Sequence, residues 1–396
     1  MMILTVLLLA SSASALPLAR SFSNNLSGIL GGKNKLTFDA KGNFKVVSFS
    51  DMHMGERPGD GSWAAWGPAN ASNFDAATQV VHGTVLDNEK PNYVVFNGDM
   101  MTGENVFKDN ATHYLDLVYA PTHDNANNIN HQEEIEYEQT HYAELSYTRS
   151  DVGPKPYGSG NYCKRVPVYA KSTDWVPAAI LWFFDSRSFV SGTGNGPGPI
   201  PPAANYYWVD PNTVPNYIKL QRLLMAVVWW KVPPALVFVH IPVQKAQDLT
   251  SLPTLGNHDD DAGLSTQGFL NNTYNGLDLS LMTPSHMPVW NEIVALNGGK
   301  GNVLAVTSGH DHGESWCARS KDSSGIPICF NGHSGYGGYV TEHKHSVVRN
   351  GRVFNLNLAD LATPVPTVNT WNSYEDNTTA DAMVLGPEYL AAEMLG

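Results

Sequence analysis

Five short apolar runs, each breaking off into a polar cluster, constrain this 396-residue chain more than any other feature. FKVVSFS (44–50) runs into Asp51, YVVFN (93–97) into Gly98 and Asp99, and AAILWFFDS (178–186) into a polar loop. ALVFVH (235–240) ends on His240, and VLAVTSGH (303–310) opens onto His310 and His312. Continuous β-branched and aromatic runs of this length read as strands covered on both faces. Between the first two, NFDAATQVVHGTVLDNEK has the apolar spacing of a crossover helix. LLMAVVWWKVPPALVFVHIP reads as a helix end, a turn and a buried strand, because Lys231 and the Pro233–Pro234 pair interrupt it. Near the C-terminus, HSVVRNGRVFNLNL and PTVNTWNSYED read as a hairpin that joins a sheet.

Asp51, His53, Asp99, His240, His310 and His312 all fall at or just past the C-terminal ends of these runs. In layered α/β folds several loops converge there, and binding sites form there. Any one of the six has an ordinary explanation, a turn for Asp51 or Asp99 and a hydrogen-bonded core position for His240. Together they offer two carboxylates and four imidazoles, the donor set of a pair of divalent ions. Residues two apart in extended backbone point the same way, so Asp51 with His53, and His310 with His312, are expected to converge on one metal cluster.

Taken in order, the motifs DMH, NGDM, VHIP and GHDH resemble those of the calcineurin-like metallophosphoesterase superfamily. GENVFKDNATHYLD, ILWFFDSR, WCAR and HSGYGGY resemble its secreted-type fungal branch, and the resemblance covers roughly residues 40–372. It implies a four-layer α/β/β/α sandwich that holds two divalent ions, Mn, Fe or Zn. It further implies Asp51, His53 and His312 on one ion, His240, His310 and an Asn on the other, and Asp99 between them. The activity implied is hydrolysis of a phosphate ester by a metal-bridging hydroxide, with a histidine protonating the leaving group. The purple acid phosphatase branch differs by a Tyr three residues after the bridging Asp; Thr102 stands there, so an iron–tyrosinate site is not expected.

The family's Gly-Asn-His-Asp motif, which supplies the Asn ligand and the acid histidine, is disrupted. PTHDNANNIN (121–130) stands in the right order but keeps only His123 and Asp124, expected as the catalytic pair. PTLGNHDDD (253–261) carries the whole motif, at Asn257 and His258 among others, but follows His240; it reads first as an acidic surface loop whose match is coincidence, and second as a transplanted site. A short segment ending in Gly-Asn, with a strand before it, is inferred to be missing. A second reading follows: a catalytically impaired, metal-binding pseudo-phosphoesterase that acts as a binding protein.

The formal charge of −13 excludes phosphate-backbone binding of the kind that clustered Lys and Arg support, so no nucleic-acid partner is expected. A phosphorylated substrate is still compatible, because bound metal supplies local positive charge. MILTVLLLA followed by SSASALP reads as a signal peptide over residues 1–16, too short to span a bilayer. Residues 17–40 read as an N-terminal arm, 41–375 as the metallophosphoesterase domain and 376–396 as a tail, with no stable membrane span. Sequons at Asn25, Asn70, Asn110, Asn271 and Asn377 fit passage through the secretory pathway, to the outside or a vacuolar lumen. In such a compartment Cys317 and Cys329, flanking the turn-like KDSSGIP, are expected to pair, leaving Cys163 as a thiol. His333, Trp63, Trp66 and Tyr336 are weighed as cleft residues or as packing.

Overall fold

Every one of the five apolar runs is a strand. The computed structural model describes residues 35–55, 74–101, 113, 114, 118, 131–148, 163–186, 209, 214–249, 279–338 and 348–386. Thr37–Gly396 cluster as one compact unit. Its strands are β1 (Leu36–Thr37, at the boundary of that unit), β2 (Asn43–Phe49), β3 (Tyr93–Phe96), β4 (Cys163–Tyr169), β5 (Ala179–Phe184) and β6 (Ala235–Val239). They continue with β7 (Val303–Ser308), β8 (Cys317–Arg319), β9 (Pro327–Phe330), β10 (Asn350–Asn357), β11 (Val368–Tyr374) and β12 (Thr379–Leu385). The helices are α1 (Phe74–Glu89), α2 (His131–His141), α3 (Val214–Val228), α4 (Leu279–Asn297) and the short α5 (Leu358–Leu361).

The strands form two sheets, in the orders β1-β4-β5-β6-β7-β9-β8 and β12-β11-β10-β2-β3. In the first, β5, β6, β7 and β9 run parallel; in the second, β2 and β3 do. Every residue of β6 and β7 is buried, as strands covered on both faces must be. The expected hairpin is present: β10 pairs antiparallel with β11, and β10 pairs on its other edge with β2. β11 in turn carries β12, so residues assigned to a tail extend this sheet.

The amphipathic stripe of α1 (Phe74, Thr78, Val81 and Val85) is buried over β10 and β11. Val81 and Val85 join Val47, Phe49 and Val353 in one core cluster on that face. On the far side, α4 packs on β7 and α3 packs on α4. The sheets meet between these helical layers, where the Phe238 ring of β6 sits edge-on to Phe354 of β10, centroids 6.2 Å apart. The result is a four-layer α/β/β/α sandwich. A charged residue lies inside it: Arg352, fully buried, donates to the Phe330 carbonyl at 2.7 Å, the Thr370 hydroxyl at 3.2 Å and the Ser315 carbonyl. Its acceptors come from both sheets, so the guanidinium pins them together while meeting the hydrogen-bond demand of its burial.

Cys317 and Cys329 form a disulfide across the β8–β9 hairpin. Among the described residues, β3 is the outermost strand of its sheet and no strand forms between Met101 and Cys163.

Candidate metal centre

β2, β3, β6 and β7 deliver their C-terminal ends to one edge. Beyond the ends of β2 and β3 the two chains stay zipped: Met52 and His53 donate backbone N–H groups to the Asp99 carbonyl at 2.9 and 3.0 Å, and Met54 to that of Met100 at 3.0 Å. Likewise Gly309 donates to the His240 carbonyl at 3.1 Å, tying the end of β7 to that of β6.

The geometry differs from extended backbone in one respect. Asp51, His53, Asp99 and His310 all have positive φ, 56°, 45°, 46° and 72°. Eight non-glycine residues share that property, so half of the left-handed strain in the described chain is concentrated on four candidate ligands. His310 and His312 therefore reach the shared centre through a turn and not through extended backbone. The turn sends them to different groups: Asp51, His53 and His312 form one, and Asp99, His240 and His310 the other. In each group the ligand atoms lie within 4.8 Å of one another.

The two groups adjoin. His312 Nε2 lies 3.1 Å from His53 Nε2 and 3.4 Å from Asp51 Oδ1. Asp99 Oδ2 lies 3.2 Å from His240 Nε2 and 3.7 Å from His53 Nε2, so this carboxylate faces both groups. Asp51 Oδ1 is also 3.9 Å from His240 Nε2. Asp51 is fully buried and accepts the His310 backbone N–H at 3.0 Å on each oxygen, whereas Asp99 opens to solvent.

These residues fit a pair of divalent ions on an observation independent of any resemblance. His240 Nδ1 bonds the Asn97 carbonyl at 2.7 Å, and its Nε2 is buried without a hydrogen-bond partner. A ring fixed through one nitrogen, with the other turned toward two carboxylates, is the arrangement of a metal-ligating histidine. Burial, reinforced by the charge of His312, holds the His53 ring down at about 4, and burial with His240 does the same for His310. Both rings are neutral near pH 7, the form that binds metal. Burial also pulls His240 down, but Asp99 and Asp51 outweigh it and hold that ring up at about 9. In return, burial would raise both carboxyls, yet the His240 charge leaves Asp51 below the ordinary range and Asp99 well below it.

Supporting residues are mostly ones that motif reading passes over. Asn97, the first letter of NGDM, orients His240 and anchors its own side chain on the Thr307 carbonyl at 3.3 Å. Ser186 accepts the Ile241 N–H at 3.1 Å, fixing the residue after His240. Ser50 and Ser334 interlock, Ser334 N–H to the Ser50 carbonyl at 3.0 Å and Ser50 N–H to Ser334 Oγ at 3.1 Å. His333 is buried 4.2 Å from the His312 ring and bonds the Gly337 carbonyl at 2.9 Å, so it belongs to the turn beneath the site. Tyr336 is packing rather than cleft wall: its ring lies under the Arg349 guanidinium at 4.6 Å and its hydroxyl donates to Glu375 at 2.7 Å. Gly98, at φ 92°, has no room for a side chain, since a Cβ there would enter the His240 ring.

His123 and Asp124, expected as the catalytic pair, lie outside the described residues, as do Asn257, His258, Thr102, Trp63, Trp66, residues 1–34 and the sequons other than Asn377. Asn377 is exposed in the β11–β12 turn.

No protein-family model matches the chain. Over 317 residues, 76% of the chain, it is 23% identical to Phosphatase DCR2 of Saccharomyces cerevisiae, of whose length it spans about half, 50%. Over 385 residues it is 23% identical to Probable inactive purple acid phosphatase 29 of Arabidopsis thaliana, covering 89% of this chain and 88% of that one. It is 24% identical to Probable inactive purple acid phosphatase 14 of the same plant, covering 87% and 84%. Among solved structures it is similar to a dimetal phosphatase from Danio rerio, with a TM-score of 0.45, 12% identity, and 87% and 99% of the two chains covered.

Proposed function

From the kinship with calcineurin-like metallophosphoesterases supported by the ordered motifs, the two ligand groups and the phosphatase relatives, we propose that this chain is a metal-dependent phosphoric ester hydrolase. The observation that carries the reading is the junction of the two groups through Asp99, whose one oxygen faces His240 and His53. Two divalent ions held there would polarise a phosphoryl group and supply a nucleophile near neutral pH.

The chain's own residues have definable parts in this. Asp51, His53 and His312 would hold one ion, and His240 and His310 the other, with Asp99 shared. Asn97 keeps His240 in the tautomer that turns Nε2 toward the centre, and the His310 backbone N–H steadies the buried Asp51. Asp99, open to solvent, stands at the side from which a phosphate ester would arrive. His123 is the residue proposed to protonate the leaving alkoxide, with Asp124 beside it. The chain is further proposed to pass through the secretory pathway as a glycoprotein, on its leader-like N-terminus and sequons.

A second reading is favoured by two specific observations. The intact Gly-Asn-His-Asp motif is absent between Asp99 and His240, and two of the relatives above are named inactive. Under it the chain binds metal and phosphorylated ligands without turning them over. Hydrolysis of an aryl phosphate by the full chain supplied with Mn²⁺ or Zn²⁺ separates the two. Turnover that disappears in Asp99→Asn supports the hydrolase; bound metal without turnover supports the binding protein.

A further inference from the structure

The edge of the seven-stranded sheet opposite the metal centre is built from four neighbouring loops. They are the β4–β5 turn, the α3–β6 and α4–β7 connections, and the β8–β9 turn. Register puts them side by side, because Ile180 donates to the Pro234 carbonyl at 2.9 Å and Ala235 to that of Asn302 at 2.7 Å, and β9 runs parallel to β7. Each loop exposes one lysine: Lys171, Lys231, Lys300 and Lys321. The loops also contain two carboxylates, and both are engaged by their own surroundings. Asp174 accepts the Lys171 backbone N–H at 2.9 Å; Asp322 accepts the Trp290 indole N–H at 2.7 Å and the Ser324 N–H at 3.0 Å. On a chain of net charge −13, four lysines against these two carboxylates leave the edge net cationic.

Large apolar side chains stand on the same edge. Trp175 at the β4–β5 turn is 51% exposed. Along the solvent face of α3, exposure rises toward the edge, from Leu223 at 49% through Val227 at 70% to Trp230 at 90%. Trp230 follows the last helical hydrogen bond, from Trp229 N–H to the Met225 carbonyl, and has φ 58°. Helices commonly end on a glycine at that left-handed position. A bulky residue there is strained; Trp230 stands out in water while Trp229 enters the core.

We propose that this edge docks the protein peripherally on an anionic bilayer surface. Exposed indoles flanked by lysines suit the headgroup boundary, where the ring is half-desolvated and the ammonium meets lipid phosphate. A protein partner fits less well, because lysine is depleted from protein interfaces and a tryptophan there fills a pocket on its partner. Among the described residues no helix is long and apolar enough to cross a membrane. Strands of five and six residues (β6 and β7) separate this edge from the ligand groups, about 16–20 Å. On the metal-centre reading, the docked protein faces its site away from the bilayer and takes substrate from solution.

Co-sedimentation of the full chain with vesicles of roughly three parts phosphatidylcholine to one of phosphatidylserine tests this, with pure phosphatidylcholine as control. Binding to the anionic vesicles is expected to exceed the control by about tenfold or more, and to fall as far when all four lysines become glutamate. Trp230→Gly is expected to lose binding about as much while unfolding at no lower temperature than the parent, since glycine relieves the left-handed strain. Asp99→Asn is expected to bind vesicles normally, so failure of the hydrolase reading leaves this result intact. No binding of the parent to anionic vesicles, or full binding by either variant, would overturn the proposal. So would a Trp230→Gly variant whose only change is the loss of self-association.

Discussion

His240 is the residue on which the chemistry of the centre turns. In the metal-free chain its ring, held up at about 9 against the pull of burial by Asp99 and Asp51, carries a proton at pH 7. An entering cation must displace that proton, so loading at pH 7 is expected to release about one proton per chain. Affinity should then climb as pH rises from 7 toward 9. Calorimetric titration with Zn²⁺ in buffers of different ionisation enthalpy counts the proton, and a release of zero would contradict the assignment. Burial gives a second pH effect, on the stability of the metal-free chain. His53, His82 and His310 are each held at about 4, while the unfolded chain protonates them near 6.5. Their contribution is full above 6.5 and is lost as pH falls toward 4, so the metal-free melting temperature should drop across that window. His240 adds no slope there, being protonated in both states, and the depressed carboxyls of Asp51 and Asp99 are lost only at lower pH. A flat profile from pH 7 to 4.5 would count against the buried, neutral rings.

At the scale of elements, the strand ends hold the centre through close packing. Gly98→Ala would force a methyl into the His240 ring at a left-handed position. Overpacking of this kind costs about 1–3 kcal/mol, and here it also displaces a ligand; loss of metal should exceed what the fall in stability explains. Equal metal content in the variant and parent would refute the packing role. Reducing the Cys317–Cys329 link, which closes a short loop, should lower stability by about 3 kcal/mol. It should leave metal binding nearly unchanged below the melting point, because the hairpin lies beyond β7. The five strands β2, β3, β5, β6 and β7, the β10–β11 hairpin and α1 were legible from the sequence because their apolar runs are unbroken or evenly spaced. What stayed hidden was the support: Asn97, Ser186 and the Ser50–Ser334 interlock act through backbone carbonyls and N–H groups. Such bonds leave no mark in residue type. The left-handed backbone at Asp51, His53, Asp99 and His310 was hidden for the same reason, since it is not written in side-chain pattern.

For the whole molecule, the sandwich brings together residues more than 250 positions apart, such as Asp51 and His310, where the Asp51 carboxylate accepts a backbone N–H from 259 positions away. The six candidate ligand positions stand out in the sequence as an ordered set of motifs, and the structure gathers them into two groups that could each hold an ion. β12 does not stand out, because THR-ALA-ASP-ALA over 379–382 carries no apolar run and is half exposed; only its pairing with β11 makes it a strand. The central claim is that one cage of six side chains holds two cations. Anomalous X-ray scattering from crystals of the full chain grown with Mn²⁺ measures this directly. Two peaks about 3.5–4 Å apart, lying among Asp51, His53, Asp99, His240, His310 and His312, are expected. A single peak, peaks elsewhere, or none at saturating metal would contradict it.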